Sequence, residues 1–508
     1  MNGGVGSWIE RRARIQPERI ALAWGEERIT YGDLAIRIRR LSHAFSSFGI
    51  GRGDRIGWLG PNHPAFLETL FAASTLGAAL APVNHRLDQE AIAAQLEDAS
   101  PTVLVTTGAA PGQVLPRSVQ AVITVGPTPG GGGDFDDLVA GAPEDPIRDV
   151  VSNDDVCLIH YTSGTTGPSK GVMLTHGNVT WNVINLLTRA DFRNDDVTLA
   201  VTPFFRTGGT GVNVLPVLFM GGTVVVPEAT EPDLLLRLME RHRATVGFAN
   251  PDLVEALTSS SLWSTTDLST MRFIVTGGAP VPERLIRGCL ERGLNLVQGY
   301  GLSEAGPLVL ILDPASALRK VGAAGKPALF VDVRIVHANG LNALPGETGE
   351  LLVRGPNVMA GYLNRPESTR ATIDEDGWLR TGDAVRIDED GDVWIVDRLQ
   401  AGFLVGGRIV YPGDVERVLL DHPAVADAAA AGAPAPNGDT VVAAYVVLAP
   451  GATATQAEIR ASCAERLPAD VVPRSVLFVD RVPRNSVGKL LRAELHGLSR
   501  PTEGASGR

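Results

Sequence analysis

The stretch Tyr161–Gly171 reads YTSGTTGPSKG and gathers the hydroxyls of Thr162, Ser163, Thr165 and Thr166 with Gly164, Gly167, Gly171 and Lys170. Glycine admits positive φ and lets the backbone turn its N–H groups inward. Successive inward N–H groups make an anion-binding concavity. Hydroxyls add donors and Lys170 adds a point charge, a set suited to cradling a polyphosphate. The stretch lies between the apolar run Val156–Ile159 and a second run from Val172, which predicts strand, loop, strand. It is not a GxxxxGK[ST] loop. An ordinary hairpin tip is the alternative, and it leaves a lysine and four hydroxyls without a task.

Further chemistry-bearing clusters follow in order: GGAP at Gly277–Pro280, GYGLSE at Gly299–Glu304, TGD at Thr381–Asp383, DR at Asp397–Arg398 and PRNSVGK at Pro483–Lys489. With YTSGTTGPSKG these resemble the motifs of the ANL superfamily of acyl- and aryl-CoA synthetases, adenylation domains and luciferases. The resemblance covers nearly the whole chain.

The elements that must position these clusters can be read from pattern. Residues 1–150 alternate helix and strand, as in helix Tyr31–Phe48, strand Asp54–Leu59, helix His63–Gly77, strand Ala79–Val83 and helix Asp88–Ala99. The same alternation resumes over 151–310, with helices at His176–Ala190, Gly211–Met220 and Pro282–Arg292. Such alternation predicts an α/β fold with a largely parallel sheet. The loops at 161–171, 276–280 and 299–304 each follow a predicted strand. In open α/β sheets ligands sit at the carboxyl ends of strands, so these loops should share one crevice. Residues 321–398 carry short β runs between Gly-rich turns, which predicts a small β-barrel or distorted sheet. The last roughly 110 residues read as a separate α+β unit of ordinary domain size. The expected organisation is an N-terminal domain over 1–398, a hinge at 399–402 and a smaller mobile C-terminal domain over 403–508.

Length and composition agree with two or more globular domains: 508 residues, 44% hydrophobic and 20% charged. Forty-five basic against 57 acidic residues leave a net charge of −12, which argues against a nucleic-acid partner. Cys157, Cys289 and Cys463 are too scattered for a metal spacing and read as small buried residues of a reducing compartment. The N-terminus has no apolar signal core, and the apolar runs Thr69–Val83 and Val212–Val226 fall short of the ~20 residues a span requires. A cytoplasmic protein without a membrane span is expected, and a homodimer is a further expectation.

The resemblance implies the following roles. Thr162, Ser163, Gly164, Thr165, Thr166, Gly167 and Lys170 hold the phosphates of ATP, with Thr166 also counted as catalytic. Gly278, Ala279 and Pro280 line one face of the adenine and Tyr300 stacks on the other, beside Gly301 and Ser303. Glu304 binds Mg²⁺, chemistry suited to a hard cation that takes carboxylate and phosphate oxygens. Asp383 accepts from the ribose hydroxyls and Arg398 lies near ribose and phosphate. Lys489 contacts the substrate carboxylate and α-phosphate. The acyl pocket takes Phe205, Arg206, Gly208, Val212, Thr276, Gly299 and Leu308, where Gly208 and Gly299 leave room for a ring.

The chain departs from the family pattern in three places. Ser303 replaces the usual threonine and keeps the hydroxyl. Gln400 stands at the hinge, where a lysine or acid is usual, and Ala401 and Leu404 replace polar residues. Beyond them Gly407 matches the glycine of the CoA pantetheine path, followed by Arg408 and Ile409. Arg206 stands where the family has a histidine over the acyl site. It always carries charge, so it either binds a second anionic group of the substrate or pairs with a nearby acid.

The expected activity is ATP-dependent adenylation of a medium-sized, aromatic or anionic carboxylic acid, then thioester formation with CoA. The alternative keeps adenylation but activates the small anion nitrite and diazotises an aryl amine. A nucleotide-binding scaffold without turnover is a third reading, opposed by Lys170, Glu304, Asp383 and Lys489. An in-chain carrier acceptor is not expected.

Overall fold

The computed structural model describes residues 3–108, 115–126, 134–147, 151–162, 169–279, 281–435, 439–484, 490–495 and 497–498. Ser163, Gly164, Thr165, Thr166, Gly167, Pro280 and Lys489 lie outside the described residues. Packing divides the chain into two units, Met1–Val333 with Leu352–Thr381, and Arg334–Leu351 with Gly382–Arg508.

The first unit is built on three sheets. The largest has seven strands in the order Gly361–Tyr362, Lys170–Thr175, Val156–Thr162, Ala79–Val83, Arg55–Leu59, Val103–Thr107 and Ala121–Val125. From Val156–Thr162 onward these strands pair in parallel. Val156–Thr162 also pairs antiparallel with Lys170–Thr175, with Thr162 opposite Lys170, so the phosphate-loop sequence joins the two strands of a hairpin. The short strand Gly361–Tyr362 closes that edge, with Tyr362 opposite Val172. Helix Pro64–Thr75 is buried almost all round, as its apolar sequence PAFLETLFAAST requires. Pro64 opens it at a position where no N–H is needed, and the His63 ring accepts from the Ala65 N–H at 3.1 Å.

A five-stranded sheet places Val246–Phe248, Phe273–Gly277 and Asn295–Tyr300 side by side in parallel, followed by Leu310–Ile311 and Lys326–Pro327. The strand expected to stop at Gln298 runs on through Tyr300, because its edge also pairs with Leu310–Ile311. Helices Pro232–Arg241, Pro251–Ser259 and Glu283–Glu291 cover one face, packing Leu235, Leu257, Leu285 and Ile286 into a core with Ile274 and Leu296. The segment expected as one helix, Gly211–Met220, is two: Thr207–Gly211 and Val214–Met220. A Cβ at Gly211 would stand 2.7 Å from Pro307, so the break is held by packing from a distant loop.

The β-rich stretch forms a four-stranded sheet in the order Asp332–Val336, Thr348–Arg354, Leu379–Ile387 and Val393–Arg398, the sheet rather than the barrel of the two forms expected. The second unit also has the hairpin Phe403–Val405 with Arg408–Val410. Its main sheet runs Val425–Pro434, Thr440–Leu448, Ser475–Phe478, antiparallel then parallel. Helices Pro412–Leu420 and Gln456–Ala464 pack Val415, Val418 and Ile459 against Val442 and Ala444 of that sheet. The three cysteines are free and buried. Among the described residues no helix is long and apolar enough to cross a membrane.

Candidate active site

The hairpin fixes the two flanks of the phosphate loop. Ser169 Oγ donates to the Thr162 carbonyl at 2.5 Å, and Gln95 Nε2 donates to Ser169 Oγ at 3.3 Å. Tyr161 is anchored through its hydroxyl to Asp98 at 3.0 Å, and Asp98 in turn meets Arg365 at 3.1 Å. Lys170 Nζ stands 4.8 Å from the centre of the Tyr362 ring. The Tyr362 hydroxyl donates to Glu304 Oε1 at 2.8 Å.

Glu304 lies in the single 3₁₀ turn Ser303–Ala305. Its backbone carbonyl accepts from the Met359 N–H at 2.9 Å, and Asn357 Nδ2 donates to the Ala305 carbonyl at 2.6 Å. Ser303 Oγ accepts from Thr207 Oγ1 at 2.8 Å, which ties the turn to the start of helix Thr207–Gly211. Glu304 Oε2 has no partner among the described residues. Nor do those residues contain a group of three or more His, Cys, Asp or Glu that could hold a metal. A lone carboxylate with a free oxygen fits Mg²⁺, which nucleotide enzymes commonly bind through one or two carboxylates plus substrate phosphates.

The parallel register sets Gly277 beside Gly299, so the loops after both strands leave the same sheet edge together. Gly278 takes φ +84°, a left-handed conformation that favours glycine. A Cβ on Gly301 would fall 1.7 Å from the Pro307 carbonyl oxygen, so no other residue fits there. Ala279 follows on the same loop, and Tyr300 is the last residue of its strand. Thr276 is fully buried, and its hydroxyl has no hydrogen-bond partner among the described residues. Strand alternation puts it on the face of Ile274, beneath the helices, opposite the face of Gly277.

The other candidate pocket residues cluster around helix Thr207–Gly211. A Cβ on Gly208 would stand 3.1 Å from the Phe248 ring, and one on Gly299 would stand 2.8 Å from Leu308. The space beside Gly208 is therefore taken by the Phe248 ring and that beside Gly299 by Leu308. Val212 and Phe205 are buried. The Phe205 carbonyl meets His160 Nδ1 at 3.2 Å. Burial holds His160 near a pKa of about 4, so it is neutral. His85 packs edge-on to Phe205 with centroids 5.6 Å apart, and Arg86 lies 6.0 Å from the same ring. Arg206 keeps an exposed surface, and its side chain makes no ion pair or hydrogen bond among the described residues. Desolvation, then the charge of Arg86, lowers its pKa from the ordinary arginine value. The expected alternative, an acid paired to Arg206, is thus not found among these residues. Phe248, His85 and Arg86 escaped the sequence reading. The available signal was position, since His85–Arg86 and Phe248 stand at the carboxyl ends of their strands.

In the second unit, Asp383 and Arg398 face each other across antiparallel strands, Oδ1 to Nη1 3.0 Å apart. Asp383 is buried, and the Gly382 N–H beside it donates to Glu350 at 3.3 Å. Gln400 is exposed on the turn Leu399–Ala401. Gly406 and Gly407, φ +56° and +84°, form the exposed tip of the next hairpin. Arg408 beyond it reaches Asp470 at 3.6 Å.

Two family models match this chain: AMP-binding enzyme over residues 9–363 and AMP-binding enzyme C-terminal domain over 414–489. Feruloyl-CoA synthases of Amycolatopsis and Streptomyces are 41% identical to it over 494 residues, 97% of this chain and 99% of theirs. An indoleacetate–CoA ligase of Aromatoleum aromaticum is 34% identical over 499 residues, 97% of this chain and 98% of its own. The structure of O-succinylbenzoate coenzyme A synthetase from Bacillus subtilis, in complex with ATP and magnesium ion, matches with a TM-score of 0.85 at 30% identity. That match covers 96% of this chain and 99% of the other. No relative named here points to nitrite as substrate, and that alternative is left aside.

Proposed function

Since this chain belongs to the AMP-binding enzyme family of adenylate-forming proteins and is an AMP-forming acid–CoA ligase using ATP and CoA, we propose that its acid is an aryl-substituted carboxylic acid. In the first half-reaction the carboxylate attacks the α-phosphorus and pyrophosphate leaves. In the second the CoA thiol attacks the acyl carbon and AMP leaves. Both reactants of the first step are anionic, so charge neutralisation and positioning supply most of the acceleration.

The observation that carries the reading is the Phe248 ring packed against Gly208, in a site whose other assigned residues Val212, Leu308 and Phe205 are apolar and buried. It is supported by relatives named for feruloyl and indoleacetate substrates, both built on an aromatic ring. Arg206 lies beside Phe205 without a counter-ion among the described residues, which suits an acid with a second anionic or strongly accepting group. Thr162 and Lys170, with Ser163–Gly167, would hold the phosphates, and Glu304 would hold Mg²⁺, whose charge would offset that of the leaving pyrophosphate. Gly278, Ala279, Pro280 and Tyr300 take the adenine, and Asp383 and Arg398 the ribose. Lys489 meets the carboxylate and α-phosphate. Gln400 serves as the hinge, and Gly407 and Arg408 border the CoA path.

A panel of arylpropenoic, arylacetic, aroyl and saturated aliphatic acids, assayed for pyrophosphate with and without CoA, tests this. Arylpropenoic or arylacetic acids should release pyrophosphate and yield a thioester detectable by mass. Preference for saturated aliphatic acids over every aryl acid would overturn the substrate class.

A further inference from the structure

We propose that Tyr362 is a positioning residue for adenylation: it aims the Glu304 carboxylate at Mg²⁺ and keeps Lys170 from pairing with that carboxylate. The proposal deepens the reading above, because it depends on ATP being the nucleotide held at the phosphate loop.

Tyr362 is placed by backbone, not by chance contact. Its strand pairs with the strand that begins at Lys170, Tyr362 opposite Val172. Lys170 is therefore a diagonal cross-strand neighbour, within reach of an aromatic ring. The Tyr362 N–H donates to Thr369 Oγ1 at 2.9 Å, and the following Leu363 N–H donates to the Gly171 carbonyl at 2.8 Å. Glu304 is tied to the same segment twice, through Met359 N–H to its carbonyl and through the Tyr362 hydroxyl to Oε1. The side chain is buried, 8% exposed, so its hydroxyl has little water to turn to.

The consequences follow from charge. Lys170 and Glu304 both approach Tyr362, one at the ring and one at the hydroxyl, yet they form no ion pair with each other. A direct pair would neutralise the phosphate cation and the metal carboxylate together. The ring face attracts the ammonium without discharging it. The hydroxyl occupies one carboxylate oxygen and leaves the other for a cation. Outer-shell partners of this kind are worth roughly 10–100-fold in metal affinity.

Two variants of the full-length chain separate the two duties. ATP binding is measured calorimetrically in EDTA and across a Mg²⁺ series. Tyr362→Phe keeps the ring and removes the hydroxyl. It should raise the Mg²⁺ concentration giving half the full ATP affinity by about 10-fold, with metal-free ATP affinity unchanged. Tyr362→Leu removes the ring too and should also weaken metal-free ATP binding, as Lys170 turns to Glu304. If Tyr362→Leu does not fold, Tyr362→Phe alone decides. A Tyr362→Phe chain with the parent's Mg²⁺ dependence overturns the inference while the ligase reading stands. A parent chain that does not bind ATP overturns both.

Discussion

Around the residues assigned to chemistry, the two units treat charge in opposite ways. In the first, charges are kept apart. Glu304 meets a neutral tyrosine, Lys170 meets the face of the same ring, and Arg206 has no counter-ion among the described residues. In the second, opposite charges meet directly. Asp383 pairs with Arg398 at 3.0 Å, Arg386 with Asp414 at 2.6 Å, and Arg492 with both Asp397 and Glu416. A charge reserved for a ligand must not be satisfied beforehand, whereas a charge that sets geometry gains from a fixed partner. By this criterion Asp383, held by Arg398, suits an acceptor role toward hydroxyls, which ion pairing does not abolish.

The broadest way to break the contrast is acid. The first unit holds His160 and His176 fully buried, and burial presses both from the ordinary 6.5 to about 4. Asp155 near His176 only partly opposes this, and the Phe205 carbonyl partly opposes it at His160. Above pH 6.5 folded and unfolded chains are both neutral at these rings. Between 6.5 and 4 the unfolded chain binds protons that the folded one refuses, so stability falls as pH falls and the loss is complete near 4. Each ring contributes on the order of 3 kcal/mol. The second unit has no buried histidine among its described residues. Urea unfolding of the whole chain should therefore show the first unit weakening between pH 6.5 and 4; stability independent of pH over that window would refute the assignment.

Glu304→Gln removes the anionic oxygen while keeping the shape and the tyrosine partner. Acid-dependent ATP–pyrophosphate exchange at limiting Mg²⁺ should drop about 100-fold and recover in part at high Mg²⁺. Exchange equal to the parent's at limiting metal would remove Glu304 from the metal's shell.

Arg206→Ala tests whether this arginine, which has no partner among the described residues, is reserved for substrate. Loss of a charged hydrogen bond should cost roughly 1.5–3 kcal/mol in kcat/KM for an acid bearing a second anionic group. KM for ATP should stay put. An equal loss for acids with and without that second group would mean the charge is not read by the substrate.

The smallest effect belongs to the paired carboxylate. Asp383→Asn keeps an acceptor and loses charge, so KM for ATP should rise only about fivefold, near 1 kcal/mol. The diagnostic is 2′-deoxy-ATP. The parent should discriminate against it and the variant should discriminate less; identical discrimination would place the ribose elsewhere.

The sequence by itself determined the alternation of helix and strand, the hairpin that flanks YTSGTTGPSKG, and that a loop follows each of the strands leading into GGAP and GYGLSE, though not that the second strand runs on through Tyr300. These follow from periodicity and from the turn-forming residues between the apolar runs. Tertiary structure alone decided three things. It joined Tyr362 to Lys170 and Glu304, set Phe248 against Gly208, and brought His85 and Arg86 to Phe205. It also broke the helix expected over Gly211–Met220, where Pro307 crowds Gly211. The physical reason is the same in each case. Periodicity reports which face of an element is apolar, but not which distant edge will pair with it. Tyr362 sits in a two-residue strand far along the chain from its partner, too short to carry a pattern and placed only by the edge it completes.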